Sequence, residues 1–208
     1  MVDAPAGLWV GAGRHLYLLD PTDGVVRRRV RLHGQVDRIA ADVRYRFLFV
    51  AIHAGIGDGL PLEERDASTG VLIRRAHGPL DFGANSLTPV FRGVWVSTST
   101  GNFGAAFFYR EANLSIARHR TIEGMQGIAT QYSGGPHLWV LRRQLDPILT
   151  CADPDSGRIQ GTFRLPDGYR FGYSDPTTAV SIANTVYVGT SFGVLRIKPS
   201  LCRPGAEG

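Results

Sequence analysis

A short motif that returns five times along the chain constrains its fold more than any other feature of the sequence. The motif is an aliphatic residue, an aromatic residue and then valine: Leu8-Trp9-Val10, Leu48-Phe49-Val50, Val94-Trp95-Val96, Leu138-Trp139-Val140 and Val186-Tyr187-Val188. The aromatic residues stand 40, 46, 44 and 48 residues apart, and they include all three tryptophans. Self-similarity at such a period is typical of repeat architectures, in which each repeat is one supersecondary unit.

A second motif follows at the turn between two later strands of the repeat. Three copies place aspartate four residues before glycine: Asp20-Pro21-Thr22-Asp23-Gly24, Asp66-Ala67-Ser68-Thr69-Gly70 and Asp153-Pro154-Asp155-Ser156-Gly157. The carboxylate can accept from backbone N–H groups two residues on, and glycine supplies a positive φ at the turn exit. The pattern indicates a hairpin, and it is degenerate in the third repeat, at residues 110–114.

Each repeat divides into four short segments with strand character. After the aromatic strand come a second strand, the Asp–Gly turn and a more polar third strand, such as residues 25–32. A small-residue strand, such as residues 36–41, then precedes the next repeat. Charged residues blunt an exposed sheet edge, so we expect the polar strand outermost and the small-residue strand innermost. Four strands per repeat predict the blade of a β-propeller, with essentially no helix.

The repeats resemble those of the quinoprotein-like, YVTN and NHL-type propeller superfamily. The best matches run from Gly7-Leu8-Trp9-Val10 to the Asp20 turn and from Leu138-Trp139-Val140 to the Asp153 turn. The resemblance implies fold and leaves function open, because propellers host many functions. Quinone-dependent members usually end the third strand with a tryptophan that locks neighbouring blades, and they are longer. This chain has no tryptophan there, so we expect no cofactor.

The strand count raises the question of ring closure. The repeats start near residues 8, 48, 94, 138 and 186 and predict blades of three, four, four, four and three strands. We expect one propeller domain over residues 1–208, with about five blades of which the first and last are incomplete. The alternative is that the chain is a fragment of a larger propeller.

The charge balance does not by itself identify a partner. The net charge is +5, and the 23 cations are 22 arginines and Lys198, a bias typical of a GC-rich bacterial genome such as an actinobacterial one. The arginines are dispersed apart from residues 27–31, so we expect solvated strand faces and no specific nucleic-acid partner. No apolar run is long enough to span a membrane. Residues 1–13 show no signal peptide, and localisation stays open, with an extracytoplasmic location possible if the N-terminus is truncated.

The two cysteines, Cys151 and Cys202, allow two interpretations. Free or buried thiols are one, and a disulfide is the other, which would imply an oxidising compartment. Neither cysteine lies in a pattern that would activate a thiolate.

Candidate ligand residues lie on the innermost strands and the loops that enter them, because propeller ligands usually bind at the axial channel. They are polar and come from different repeats, and so could converge. The set is Gln35, Asp37, Arg38, Asp81, Asn85, Gln126, Tyr173, Ser174 and Asp175. A second set lies in loops after the aromatic strand, where an arginine pair could hold an anion: His53, Arg142 and Arg143.

Motifs for catalysis are missing from the sequence. The six histidines show no metal-binding spacing, no G-x-S-x-G occurs, and the five glutamates suggest no acid–base pair. We therefore expect a non-enzymatic module that binds a protein, peptide or glycan through one face or the axial channel. One alternative is a small propeller lyase or hydrolase resembling virginiamycin-B-lyase-type proteins; another is an extracytoplasmic sensor fragment of a larger receptor. A histidine beside a carboxylate in a pocket would favour the enzyme, and an arginine-rich face would favour binding.

Overall fold

All regular structure in the described part of the chain is β-strand. The computed structural model describes residues 1–53, 61–78, 84–100, 103–121, 130–134, 137–142, 148–164, 179–182, 185–190, 193–198 and 202. Within these ranges the strands form five antiparallel sheets, and no helix occurs. The prediction of an all-β fold is confirmed.

The sheets follow the repeats in chain order. The first contains β1 (Val2–Ala4), β2 (Gly7–Ala12), β3 (His15–Leu19) and β4 (Val26–Arg31). The second contains β5 (Gln35–Ala41), β6 (Phe47–His53), β7 (Pro61–Asp66) and β8 (Leu72–His77). The third contains β9 (Ala84–Val90), β10 (Gly93–Thr100), β11 (Phe103–Arg110) and β12 (Ile116–Thr121). The fourth contains β13 (Thr130–Gly134), β14 (His137–Arg142), β15 (Ile148–Ala152) and β16 (Ile159–Arg164). The fifth contains β17 (Ala179–Ile182), β18 (Thr185–Thr190) and β19 (Gly193–Ile197).

Neighbouring strands in every sheet are also neighbours in the chain. The small-residue strand therefore lies at one edge, and the polar strand of the first four sheets lies at the other, as predicted. The polar strand β4 is exposed over most of its length, whereas the aromatic strand β6 is almost wholly buried. Hydrophobic alternation in the sequence thus separates inner strands from the charged edge.

The prediction that the first repeat lacks its innermost strand is wrong. Residues Val2–Ala4 pair with β2, with Ala4 opposite Gly7, so Pro5 and Ala6 form a two-residue connection. Gly7 has a φ of +134°, which only glycine adopts readily, and this lets the chain reverse so soon after a proline. The fifth sheet has three described strands.

The three Asp–Gly turns have the predicted chemistry. The Asp20 carboxylate accepts from the backbone N–H of Thr22 at 2.8 Å, and the Asp153 carboxylate accepts from that of Ser156 at 2.7 Å. Gly24, Gly70 and Gly157 have φ of +73°, +71° and +66°. Hydrogen bonds from the Ser156 hydroxyl and backbone lower the pKa of Asp153 below its ordinary value. Each carboxylate therefore stabilises its turn in the ionised form.

The third repeat keeps the same turn without its signature residues. The N–H of Leu114 donates to the Arg110 carbonyl at 2.8 Å, as glycine does in the other copies. Leu114 has a φ of +52° and is buried, while the Asn113 side chain accepts from the N–H of Ser115 at 3.0 Å. Burial of the leucine side chain thus offsets a backbone conformation that is unfavourable for it.

Two compact units make up the chain. The first comprises Met1–Thr98 and Phe107–His119, and the second Ser99–Ala106 and Arg120–Gly208. In the first unit, the first two sheets share a core in which Trp9 is fully buried. Trp9 Nε1 donates to the carbonyl of Ala67 at 2.8 Å, so the aromatic strand of one repeat binds the Asp66 turn of the next. Trp9 thereby connects adjacent sheets, a role that quinone-dependent propellers give to a tryptophan on another strand.

The core of the second unit surrounds Trp139 and contains a disulfide. Cys151 lies on β15 and bonds to Cys202, 51 residues later. Leu149, Val188 and Ile197 complete this core, which spans the fourth and fifth sheets. The indole Nε1 of Trp139 is buried and has no hydrogen-bond partner among the described residues, in contrast to Trp9.

Candidate functional site

Asp37 connects the innermost strands of the second and third sheets. It is the extra residue of a β-bulge, since Val36 pairs with Ile52 and the next pair is Arg38 with Ala51. The Asp37 carboxylate accepts from the backbone N–H of Ala84 at 2.8 Å, at the first residue of β9. The bulge therefore turns an acidic side chain toward the neighbouring sheet.

The same bulge places three exposed polar side chains on one face of the second sheet. Gln35 lies opposite His53 and Arg38 opposite Ala51. Because residues 51 and 53 are two apart on β6, both pairs share a face. Gln35, Arg38 and His53 are all exposed, and the Arg38 guanidinium donates to the Asp37 carbonyl at 2.8 Å. The structure thus brings together four of the sequence-predicted residues: Gln35, Asp37, Arg38 and His53.

The side chains of the other candidate residues lie outside the described part of the structure. Asn85 lies on β9, directly after the residue that Asp37 binds, and Arg142 lies on β14, but the structure describes only their backbone. The remaining residues fall outside the described ranges: Asp81, Gln126, Arg143, Tyr173, Ser174 and Asp175.

The second sheet contains a buried ion-pair network that was not predicted from the sequence. Glu63 on β7 is fully buried and contacts Arg65 and Arg75, with N–O distances of 2.7 Å for both. Arg65 also donates to the Gly70 carbonyl at 2.7 Å, which connects the network to the turn that Trp9 contacts. The register places Glu63 opposite Arg75, so cross-strand pairing of the Glu63-Glu64 and Arg74-Arg75 runs was the available signal.

The network includes a histidine beside a carboxylate. His33 Nδ1 lies 3.1 Å from Glu63 Oε1 and also 3.1 Å from Arg75 Nη2. Both Glu63 carboxylate oxygens already accept hydrogen bonds from guanidinium groups, one from Arg65 and the other from Arg75. This carboxylate therefore has a structural explanation.

Glu64 occupies a similar place on the opposite face of β7. Its carboxylate is buried and lies 3.0 Å from Arg74 Nη1, which also donates to the carbonyl of Glu111. Burial raises the pKa of Glu64, and the Arg74 charge opposes that rise. The contact to Glu111 connects the second and third sheets. Glu64 therefore also has a structural explanation.

The described residues hold neither a cluster of metal-ligating side chains nor a membrane-spanning helix. Within them no three His, Cys, Asp or Glu side chains are grouped so that they could hold a metal ion. The part of the chain that the structure describes also has no helix that could span a membrane.

Comparisons with known proteins identify the fold. No family model and no curated protein matches the chain. Among solved structures, BamB from Moraxella catarrhalis aligns over 97% of this chain and 61% of its own, with a TM-score of 0.68 and 12% identity. A europium-containing methanol dehydrogenase aligns over 98% and 50%, with a TM-score of 0.67 and 10% identity. A chain of the mitotic checkpoint complex aligns over 96% and 64%, with a TM-score of 0.63 and 14% identity.

These likenesses concern architecture alone. BamB and the methanol dehydrogenase have the quinoprotein-like propeller fold, so this chain has a β-propeller fold, as its repeats predicted. The chain spans less than two thirds of the length of each of these structures. At 10–14% identity, their activities do not transfer to it.

Proposed function

We propose that this protein is a non-enzymatic binding module that holds a peptide, protein or glycan against Gln35, Arg38 and His53. The observation that carries the proposal is the common face of these three exposed side chains beside the Asp37–Ala84 hydrogen bond. They lie on the two innermost strands of the second sheet, β5 and β6, which pair with each other. Polar side chains on a rigid scaffold are the usual ingredients of a specific site.

The three side chains offer complementary hydrogen-bonding groups. The Gln35 amide can donate and accept, the Arg38 guanidinium donates, and the His53 imidazole can do either. Such a set suits a ligand rich in carbonyl, carboxylate or hydroxyl groups. Peptides and glycans both have these groups, and so both belong in the test.

The state of the described acidic residues supports binding over catalysis. Glu63 and Glu64 are buried in ion pairs, and Asp66 and Asp153 accept hydrogen bonds within their turns. Asp37 accepts from a backbone N–H. Each of these carboxylates has a structural partner, so catalysis would require it to abandon that partner.

Immobilised peptide and glycan arrays test the proposal. The wild-type protein should bind a subset of spots, and the triple variant Gln35→Ala/Arg38→Ala/His53→Ala should lose at least tenfold in affinity for them. Each lost charged or neutral hydrogen bond contributes about 0.5–3 kcal/mol, so three together exceed that factor. Binding should be reversible, and mass spectrometry should show the ligand unchanged.

Arg196→Ala is the matched control, because Arg196 is another exposed strand arginine and lies on β19 of the second unit. It should retain every wild-type interaction. Equal binding by the triple variant and this control would show that the site lies elsewhere. The proposal of a non-enzymatic module for these ligand classes would be refuted if the wild-type protein bound no spot on the arrays. It would also be refuted if the protein converted a bound ligand.

A further inference from the structure

An open cleft on the first sheet is lined by cationic side chains, none of which belongs to the face proposed above. The cleft has a volume of about 510 Å³ and is lined by Arg14, His15, Arg29 and Arg31. The sequence predicts solvated strand faces for the arginines of β4. The structure gives them a specific arrangement.

The register of β3 and β4 collects these side chains on one face. His15 lies opposite Arg31, and Tyr17 lies opposite Arg29. Since both pairs are two residues apart along each strand, all four side chains point to the same side. Arg14 lies in the turn before β3, and its side chain also lines the cleft. Its carbonyl accepts from the N–H of Leu32 at 2.8 Å, which fixes the turn beside β4.

Contacts within the cluster hold Arg29 in place. Its Nη2 lies 2.9 Å from Nε2 of His15, and its guanidinium lies over the Tyr17 ring at 5.8 Å from the centroid. The His15 and Tyr17 rings are themselves 5.8 Å apart. Stacking against aromatic rings pre-organises a guanidinium and lowers the entropy that it loses on binding.

The cluster lacks the counter-charges that other arginines have. Among the described residues, Arg27 pairs with Asp20, Arg65 and Arg75 with Glu63, and Arg74 with Glu64. Arg14, Arg29 and Arg31 form no ion pair with any described residue. Three uncompensated guanidinium groups around one cleft create a local positive potential that an anion would relieve.

We propose that this cleft binds a tetrahedral oxyanion, a phosphate or sulfate group, either free or borne on a sugar. Guanidinium forks match the oxygens of such groups and form charge-assisted hydrogen bonds to them. The cleft is open and extends beyond the space for one oxyanion, which leaves room for the molecule that bears it. This site is independent of the proposed function, since its residues lie on a different sheet.

His15 supplies an internal reporter. Its partial burial, and then the charges of Arg29 and Arg31, lower its pKa. The groups around it are Arg14 from the preceding turn, Tyr17 from its own strand and Arg29 and Arg31 from β4, while Ala12 opposite it on β2 carries no charge. A bound anion would offset the arginine charges and so raise the pKa of His15.

Titration with sodium sulfate, sodium phosphate and a sulfated disaccharide at low ionic strength tests the proposal. Binding should saturate at one site and weaken as chloride is added. Arg29→Gln/Arg31→Gln should bind at least tenfold more weakly, because each exposed charge-assisted hydrogen bond contributes roughly three- to tenfold. Tighter binding of the disaccharide than of sulfate would indicate a sugar-borne group, and equal binding a free anion.

Arg28→Gln is the matched control, since Arg28 is an exposed arginine on the same strand and lies on the opposite face, with a hydrogen bond to the Thr69 carbonyl. It removes one positive charge, against two in the double variant, and should change the affinity less than twofold. NMR titration of His15 should show its pKa rising with sulfate in the wild type and in Arg28→Gln, but not in the double variant. The proposal would be overturned if the two variants bound the anion with equal affinity, or if the wild-type protein showed no saturable binding. It would also be overturned if the pKa of His15 did not change on addition of sulfate.

Discussion

Gly70 provides the sharpest test of how adjacent sheets pack, because the chain contains its own control. Gly70 and Gly24 occupy the same position of the Asp–Gly turn, with φ of +71° and +73°. Their N–H groups donate to Asp66 and Asp20 carbonyls at 2.8 and 2.9 Å. The two glycines differ in what surrounds them. A Cβ on Gly70 would lie 2.7 Å from Trp9 Cη2, whereas one on Gly24 would meet no atom within 4 Å.

Alanine at each position separates two costs. In both variants alanine must adopt a left-handed backbone conformation, which costs about 1–2 kcal/mol. The lower conformational entropy of the unfolded alanine variant offsets part of this cost. Only Gly70→Ala also crowds the fully buried Trp9, and overpacking of this kind costs about 1–3 kcal/mol. We therefore expect Gly24→Ala to destabilise the protein by about 1 kcal/mol and Gly70→Ala by about 3 kcal/mol.

Urea unfolding, followed by tryptophan fluorescence, measures the difference. If the free energy of unfolding falls equally steeply with urea concentration in the two variants, the urea midpoint of Gly70→Ala should lie clearly below that of Gly24→Ala. The reasoning would be refuted by equal midpoints, because Trp9 would then not pack against the turn of the second sheet. A lower midpoint for Gly24→Ala would refute it as well.

Three further predictions concern named contacts. In thermal or urea unfolding, Trp9→Phe should destabilise the protein by about 1–2 kcal/mol more than Trp139→Phe. The first substitution leaves the Ala67 carbonyl without its donor, whereas the Trp139 indole has no described partner to lose. Reduction of the disulfide should lower the free energy of unfolding by about 4 kcal/mol, the chain-entropy value for a loop of this length, in unfolding curves recorded with and without reductant. Asp66→Asn/Asp153→Asn should flatten the acid limb of the stability–pH curve. The folded state lowers the pKa of both groups, so their stabilisation is complete above the unfolded pKa of about 3.9 and is lost as the pH falls through the folded pKa.

The repeat pattern was sufficient to predict the fold because propeller blades depend on local chemistry. The Asp–Gly turns, the aromatic strands and the polar edge strands are each determined by residues within one repeat. Strand β1 was not predicted, because it lacks such a local signal. Its three residues are too few for a periodic signal, and its pairing depends on the turn at Gly7.

The candidate sites depend on register, which the sequence specifies less directly. Gln35 and Arg38 share a face only because Asp37 is bulged, and no local signal marks the bulge. In the same way, the Arg29 and Arg31 cleft depends on which residues of β3 lie opposite β4. A shift of one residue would move these side chains to the other face, so the sites were visible only with the pairing known.

Chemical-shift mapping on the protein, with the peptide or glycan that binds most tightly on the arrays, tests whether the ligand binds beside the Asp37 bulge. The backbone amide signals of Gln35, Arg38, His53 and Ala84 should shift on ligand addition, since Ala84 reports on Asp37 through their hydrogen bond. Amide signals of the Asp66 turn should stay in place. Shifts confined to residues away from the Asp37 bulge, with these four signals unchanged, would contradict the account.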